Sequence, residues 1–141
     1  MKDYTALLQE SGLKATFQRI NILQTIEKYG HLTIDAIYEE VSKIHTSLSL
    51  ATIYKNIILM VEKGVVVEVP VSGAKSKYEL QKEAHIHLVC TECGHVEDQP
   101  AIESVDHIFR DLSGKENFQL KHEQINLYGI CVHCRDKQQI A

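Results

Sequence analysis

The N-terminal half of the chain carries apolar residues at the three- and four-residue spacing of amphipathic helices. Four helices are predicted from this spacing and from the capping residues around it. The first helix ends before Gly12, and the second runs from Thr16 to just before Gly30. The third begins at Thr33, and the fourth runs from Ser49 to Lys63. The third and fourth helices each have one apolar face, so we expect them to pack on a shared core.

The period of the pattern changes after Gly64. Val65 to Val71 is rich in β-branched residues, Ser72 to Ala74 forms a predicted turn, and Lys77 to Leu80 is a second strand. Helices followed by a hairpin predict a winged helix-turn-helix. We therefore expect a winged-helix domain over residues 1–80.

The second half of the chain has a different pattern, and residues 81–84 form the predicted hinge before it. Strands are predicted at His85 to Cys90, His95 to Asp98 and Phe118 to Ile130, around one helix near Ile102 to Leu112. Residues 85–141 are thus expected to form a small α/β dimerisation and metal-binding domain, which makes the predicted fold class α+β. A unit of this size needs further stabilisation, and zinc and dimerisation could provide it.

The composition is that of an ordinary globular protein, with 44% apolar and 24% charged residues among 141. A formal net charge of −4 offers no general attraction for nucleic acid, so a DNA-binding function has to rest on a motif. No apolar run approaches the roughly 20 residues of a membrane span. We recognise no export or lipidation signal, and therefore expect a cytoplasmic protein without a membrane partner.

Two C-x-x-C pairs are the strongest chemical signal in the chain. They comprise Cys90, Cys93, Cys131 and Cys134. This spacing is typical of a tetrahedral structural zinc site built from two knuckles. Two redox-active motifs or two disulfides are the alternatives. Zinc is favoured, because the compartment is expected to be reducing and neither pair opens an apolar helix after a buried strand.

The fourth predicted helix is the candidate for DNA recognition. Its N-terminal turns carry short hydroxyl, amide, amine and phenol groups that suit base edges and phosphates. The set consists of Ser49, Ala51, Thr52, Tyr54, Lys55 and Asn56. A merely solvated helix face is the alternative, and the hairpin that follows the helix is what favours DNA.

Paired histidines indicate a further metal site. His85 and His87 alternate along a predicted strand, so both imidazoles lie on one face and can reach one ion. Glu79 before the pair and Asp98 after it add carboxylates, which favour metal binding over two unrelated surface histidines.

Four segments carry a resemblance to a known family. They read LKATFQR at Leu13 to Arg19, SLATIYKN at Ser49 to Asn56, HIHLVCTECG at His85 to Gly94, and LYGICVHC at Leu127 to Cys134. Together they resemble the ferric uptake regulator family of bacterial metalloregulators, with Phe17 where that family usually has proline. The resemblance implies a dimer with N-terminal winged helices, and it adds Arg19 to the predicted DNA contacts.

The resemblance also implies roles for the metal-binding side chains. It makes the four cysteines structural zinc ligands and places a regulatory site on His31, Glu79, His85, His87 and Asp98. A regulatory metal would then fix the orientation of the two domains. In a homodimer this orientation would set the separation of the two recognition helices, and so select a pseudo-palindromic operator. Three imidazoles and two carboxylates without sulfur favour Fe²⁺ or Mn²⁺ over zinc.

Asp98 is the residue that indicates a branch of the family. Peroxide-sensing members typically have aspartate at this position and iron-sensing members glutamate. A metal-dependent repressor is therefore expected in which Fe²⁺-catalysed oxidation of His31 or His85 releases DNA. An iron-responsive repressor without peroxide sensing is the alternative, and Glu97 could replace Asp98 if the strand shifts by one residue.

Two other interpretations concern the remaining candidate ligands. Glu103 and His122 could form part of a further metal site known in iron-sensing members of the family. A more distant alternative is a zinc deaminase, because His95 and Glu97 followed by the second cysteine pair resemble its H-x-E and C-x-x-C elements. That scheme leaves Cys90 and Cys93 without a role, so we expect no enzyme.

Overall fold

The computed structural model describes residues 3–82, 85–121 and 123–140. Glu83 and Ala84 of the predicted hinge, and His122, lie outside these ranges. Contacts between residues divide the chain into two compact units. The first consists of Met1–Pro70 with Ala74–Gln81, and the second of Val71–Gly73 with Lys82–Ala141.

The first unit contains four helices and a hairpin. They are α1 (Tyr4–Glu10), α2 (Phe17–Tyr29), α3 (Ile34–Val41), α4 (Leu50–Glu62), β1 (Val66–Val69) and β2 (Lys77–Leu80). The two strands pair antiparallel, with Val67 opposite Glu79. This is the order of elements predicted for the winged-helix half.

Side-chain caps explain where the longer helices begin. The hydroxyls of Thr16, Thr33 and Ser49 each accept a backbone N–H from the first turn of α2, α3 and α4. The three predicted N-caps are therefore confirmed. Phe17 occupies the first helical position of α2, which tolerates proline because its N–H has no partner within the helix.

The apolar faces of these helices form one core with the hairpin. Its fully buried members come from α1 to α4 and include Leu8, Ile22, Leu23, Ile26, Ile37, Val41, Ile53, Ile57 and Met60. Tyr78 and Leu80 of β2 join the same core. The hairpin is thus held to the helices by burial, and the position of β2 relative to α2 and α3 is fixed.

The second unit is a three-stranded sheet with two helices. Its elements are β3 (His85–Cys90), β4 (Val96–Pro100), α5 (Glu103–Lys115), β5 (Ile125–Gly129) and α6 (Val132–Ile140). The strand order is β4-β3-β5. β3 runs antiparallel to β4 and parallel to β5. A parallel neighbour requires a crossover, and α5 lies in it.

One prediction for the second unit was wrong, and one helix of this unit was missed. The predicted strand from Phe118 to Ile130 is confined to β5, because the chain leaves α5 through Asn117, whose φ of 53° is left-handed, and Phe118 remains 64% exposed. The helix α6 was not predicted. Its mixed sequence has no strong apolar period, and it begins directly after Cys131.

Little apolar surface is buried in the second unit. Among its described residues, the buried apolar side chains are Val71, Ile86, Val89, Cys90 and Val96, and α5 buries none. Such a unit needs stabilisation beyond its own core. Within the described parts of the chain, every helix is too short or too polar to cross a lipid bilayer.

Candidate metal centres

The four cysteines meet because of the parallel pairing of β3 with β5. Cys90 ends β3 and lies opposite Gly129, the last residue of β5. Cys93 follows in the turn to β4, where Gly94 adopts a left-handed φ of 76°. Cys131 follows β5, and Cys134 lies in the first turn of α6. Each knuckle therefore begins at the carboxyl end of one of two neighbouring strands.

The spacing of the sulfur atoms fits zinc. All four sulfurs lie within 4.8 Å of one another, and Cys93 Sγ is 3.8 Å from Cys131 Sγ. A tetrahedral ion with Zn–S bonds of about 2.3 Å separates its sulfurs by about 3.8 Å. The observed cluster matches this geometry. None of the four cysteines forms a disulfide.

The environment shifts the pKa values of two of the thiols in opposite directions. The backbone N–H groups of Cys131 and Cys93 donate to Cys90 Sγ at 3.4 and 3.5 Å, which lowers the pKa of the Cys90 thiol to about 6. Hydrogen bonding to Cys131, together with burial, raises the pKa of the Cys134 thiol to about 12. Zinc binding would replace that proton, so occupancy and proton release are linked.

This arrangement disagrees with the deaminase scheme. All four cysteines belong to one cluster, and His95 is outside it although it is among the described residues. Cys90 and Cys93 therefore have a role that the scheme does not give them.

In the first unit, the partly buried His31 pairs with the buried Glu79. His31 follows Gly30, which ends α2, and the next residue, Leu32, exchanges two backbone hydrogen bonds with Tyr78 at 3.1 and 2.7 Å. This bridge places His31 beside β2. Its Nε2 lies 2.7 Å from Oε2 of Glu79, whose side chain is 1% exposed. Loop and strand are thus fixed together at two residues that can both ligate a metal.

In the second unit, His85, His87 and Asp98 lie on one face of the sheet. His85 Nε2 is 2.8 Å from His87 Nε2, and Asp98 Oδ1 lies 3.7 Å and 3.6 Å from these two nitrogens. Two imidazoles and one carboxylate form the donor set that non-haem Fe²⁺ sites use.

The register of β3 and β4 decides which acidic residue joins the histidines. His87 lies opposite Asp98, whereas Glu97 lies opposite Leu88. Because side chains alternate between faces, Glu97 points to the side of the sheet away from His87. The one-residue shift considered from the sequence is therefore not the observed pairing.

Asn126 and Lys82 support this donor set and were missed by the sequence reasoning. Asn126 Oδ1 lies 2.8 Å from His87 Nδ1. A carbonyl oxygen only accepts, so Nδ1 carries the proton and Nε2 of the neutral ring has a lone pair for metal. Lys82 Nζ lies 2.5 Å from Asp98 Oδ2. The signal that could identify Asn126 is the pairing of β3 with β5, which brings together residues 39 apart.

Replacing Asn126 by leucine is expected to weaken Mn²⁺ binding. The substitution keeps a similar volume but removes the acceptor that orients the His87 ring, and losses of this kind cost about 10- to 100-fold in affinity. Titration with Mn²⁺ measures the effect. Gln124→Leu makes the same kind of substitution just before β5, and as the control it should leave the Mn²⁺ affinity unchanged. Equal affinities for Asn126→Leu and the parent protein would contradict the role assigned to Asn126.

Several of the predicted DNA-contacting residues participate in a hydrogen-bond network that connects α2 and α4. Arg19 Nε donates to Asn56 Oδ1 at 3.0 Å, and Asn56 Nδ2 donates to the Thr52 carbonyl at 3.0 Å. The Ser49 hydroxyl caps α4 by accepting the Thr52 N–H. The exposed members of the predicted set include Ala51, Tyr54 and Lys55.

The suggested further metal site is not assembled among the described residues. Glu103 Oε1 lies 3.9 Å from His107 Nε2, one helical turn away on α5, and both side chains are strongly exposed. His122 is outside the described residues.

Comparison with known proteins defines the class to which this fold and these centres belong. A model described as the ferric uptake regulator family matches residues 10–128. The chain belongs to the ferric uptake regulator family.

Individual relatives are similar over nearly the full chain. The peroxide-responsive repressor PerR of Staphylococcus saprophyticus is 30% identical over 140 residues, which cover 97% of this chain and 93% of that protein. The crystal structure of the Campylobacter jejuni peroxide stress regulator is 35% identical, with a TM-score of 0.76 and coverage of 94% and 100%. The Vibrio cholerae ferric uptake regulator (Fur) is 29% identical, with a TM-score of 0.74 and coverage of 92% and 100%.

Proposed function

We propose that this protein is a metal-dependent, DNA-binding transcriptional repressor that senses peroxide through Fe²⁺-catalysed oxidation of histidine. The observation that carries the proposal is the strand register that brings Asp98, and not Glu97, beside His87. The relatives named for a response to peroxide support the same branch. The protein acts in the cytoplasm as a regulator and not as an enzyme.

The regulatory metal would be held by donors from both units. His85, His87 and Asp98 supply three ligands, and we propose that His31 and Glu79 complete the set. Three protein ligands leave coordination positions on the metal open, and the imidazole of His31 and the carboxylate of Glu79 are donors of the same chemical type. The absence of sulfur favours Fe²⁺ or Mn²⁺ over zinc. The cysteine cluster, in contrast, would hold one structural zinc ion.

Oxidation of a ligand would end metal binding. When bound, Fe²⁺ supplies the electron transfer that activates hydrogen peroxide. In the net reaction one peroxide oxygen adds to the imidazole of His31 or His85, and the other leaves as water. The imidazole loses two electrons and peroxide gains them. An oxidised ring is a weaker donor, so the metal would leave and the protein would release its operator.

DNA binding is assigned to the N-terminal turns of α4. Tyr54 and Lys55 are exposed there and can reach base edges and phosphates. Arg19 is assigned a supporting role in addition to its predicted DNA contact, since it donates a hydrogen bond to Asn56 and so fixes α4 against α2. The net charge of −4 makes the metal cation and this local patch important for affinity.

A homodimer is proposed from the exposed apolar surface of the second unit. β5 is an edge strand of the sheet, and Leu127 is 53% exposed. Ile108 and Leu112 on α5 are 61% and 59% exposed, at positions that share one helix face. Surfaces of this kind are normally covered by a partner. A dimer would present two α4 helices to a pseudo-palindromic operator.

Peptide mass spectrometry of the Fe²⁺-loaded protein after near-stoichiometric hydrogen peroxide tests the proposal. One added oxygen is expected on His31 or His85 and not on other histidines, with loss of operator binding in parallel. The Mn²⁺-loaded protein is the control, because it is expected to bind DNA and remain unmodified. Histidines that stay unmodified while iron is oxidised or lost would reject peroxide sensing.

An iron-responsive repressor without peroxide sensing is the second candidate. The observation in its favour is Glu79, which pairs with His31 at a position where peroxide sensors often have aspartate. It shares every feature proposed above except histidine oxidation, so the same experiment separates the two.

A further inference from the structure

A cavity of about 320 Å³ lies in the second unit, beside the donor set. His85 lines it, together with Ala101 before α5 and Val105 within α5. The His85 side chain is 16% exposed, whereas that of His87 is 2% exposed. Of these two neighbouring imidazoles, therefore, only His85 borders the cavity, and only His85 has appreciable access to solvent.

We propose that this cavity is the route by which hydrogen peroxide reaches His85. The inference rests on the proposed peroxide-sensing function and adds to it the path of the oxidant. The volume is about ten times the roughly 30 Å³ that one water molecule occupies in the liquid, so it can hold peroxide together with water. The wall of α5 and the loop before it thereby determine how fast His85 is oxidised.

The charges around the cavity select for an uncharged oxidant. Glu103, Asp106 and Glu123 line it and bring three carboxylates, whereas Arg110 brings one positive charge. Arg110 Nε lies 3.1 Å from Asp106 Oδ2, which neutralises that pair. The remaining carboxylates, Glu103 and Glu123, disfavour anions such as superoxide, and the contribution of Glu103 is the weaker for its strong exposure to solvent. Hydrogen peroxide is neutral at physiological pH and can hydrogen-bond to the carboxylates.

Filling the cavity from Ala101 tests the route. Ala101 lies in the exposed connection between β4 and α5, so Ala101→Phe adds bulk to the wall without interrupting either element. Ser104→Phe places the same side chain on the exposed neighbouring face of α5, away from the cavity lining, and is the matched control. Val105→Phe is a second filling variant in case Ala101→Phe fails to fold. Zinc content and Mn²⁺ affinity identify variants that remain native.

The first measurement uses the zinc-loaded protein without regulatory metal and needs no oxidation. Diethyl pyrocarbonate should modify His85 faster than His87. The filling variants should slow the modification of His85 by about tenfold, because an occupied entrance restricts access. Ser104→Phe should leave it unchanged. Equal rates of His85 modification in Ala101→Phe, Val105→Phe and the parent protein would overturn the route.

The second measurement follows oxygen addition to His85 after Fe²⁺ loading and hydrogen peroxide. The filling variants should again be slower than both the parent protein and Ser104→Phe. Unchanged oxidation in the filling variants would reject the route even if peroxide sensing is correct. A third outcome is that the filling variants slow modification of His85 by diethyl pyrocarbonate, but hydrogen peroxide never oxidises the parent protein. The cavity would then be established as the access to His85. Peroxide sensing would be rejected, and with it the proposed role of the cavity.

Discussion

Replacement of Cys93 by alanine is expected to unfold the second unit while the helical first unit stays folded. Structural zinc contributes about 10–16 kcal/mol of apparent binding free energy in small zinc domains. By comparison, a fully buried aliphatic side chain contributes only about 1.5–3 kcal/mol. The second unit buries few of these among its described residues, with Ile86, Val89 and Val96 at its centre. Zinc is thus its largest single source of stability.

Zinc content and circular dichroism measure this result. The variant should lose bound zinc and the signal of the three strands of the second unit, and retain a cooperative helical transition from the first unit, whose core is separate. His95→Ala is the matched control, since His95 lies in the same turn and can bind zinc but is outside the cysteine cluster. A Cys93→Ala protein that keeps both its zinc and its sheet would contradict the four-cysteine assignment.

Replacement of Asp98 by asparagine is expected to abolish metal-dependent DNA binding. Asparagine keeps the size of the side chain but removes the negative charge that lies within 3.7 Å of both histidines. Asp98 is proposed as a direct ligand, and loss of a direct ligand should cost more than the roughly 10- to 100-fold that supporting residues cost. Operator binding at increasing Mn²⁺ concentration measures the loss.

Two further variants test whether the effect of Asp98→Asn comes from the charge at this position. Glu97→Gln removes a carboxylate from the opposite face of the same strand and should leave the Mn²⁺ response intact. Asp98→Glu keeps the charge and should retain Mn²⁺-dependent DNA binding, with histidine oxidation by peroxide reduced. If Glu97→Gln were as damaging as Asp98→Asn, the observed strand register would not be the functional one.

Local chemical signals predicted much of the first unit and the cysteine knuckles of the second. A hydroxyl before an apolar stretch is a short-range cue, and Thr16, Thr33 and Ser49 begin their helices as expected. The C-x-x-C spacing is equally local, since two residues between thiols already determine the geometry of a knuckle. The structure confirms that the two pairs form one cluster.

The features that the sequence did not predict depend on contacts between distant segments. Asn126 is an unremarkable polar residue until β5 is placed parallel to β3, where it orients His87. Lys82 belongs to a segment whose polar composition indicated only a hinge, yet it pairs with Asp98. Strand pairing across a crossover has no local signature, so these supporting residues could not be identified from spacing.

The pairing of β3 with β5 implies an order in which the protein acquires its metals. β3 carries His85, His87 and Cys90, and β5 carries Asn126 and leads directly to Cys131. The same two strands therefore build both centres, and zinc holds their carboxyl ends together. We expect zinc to be installed first and retained for the life of the molecule, whereas iron or manganese exchanges with the cellular pool. Zinc starvation would then abolish the proposed response to the regulatory metal, irrespective of how much iron is available.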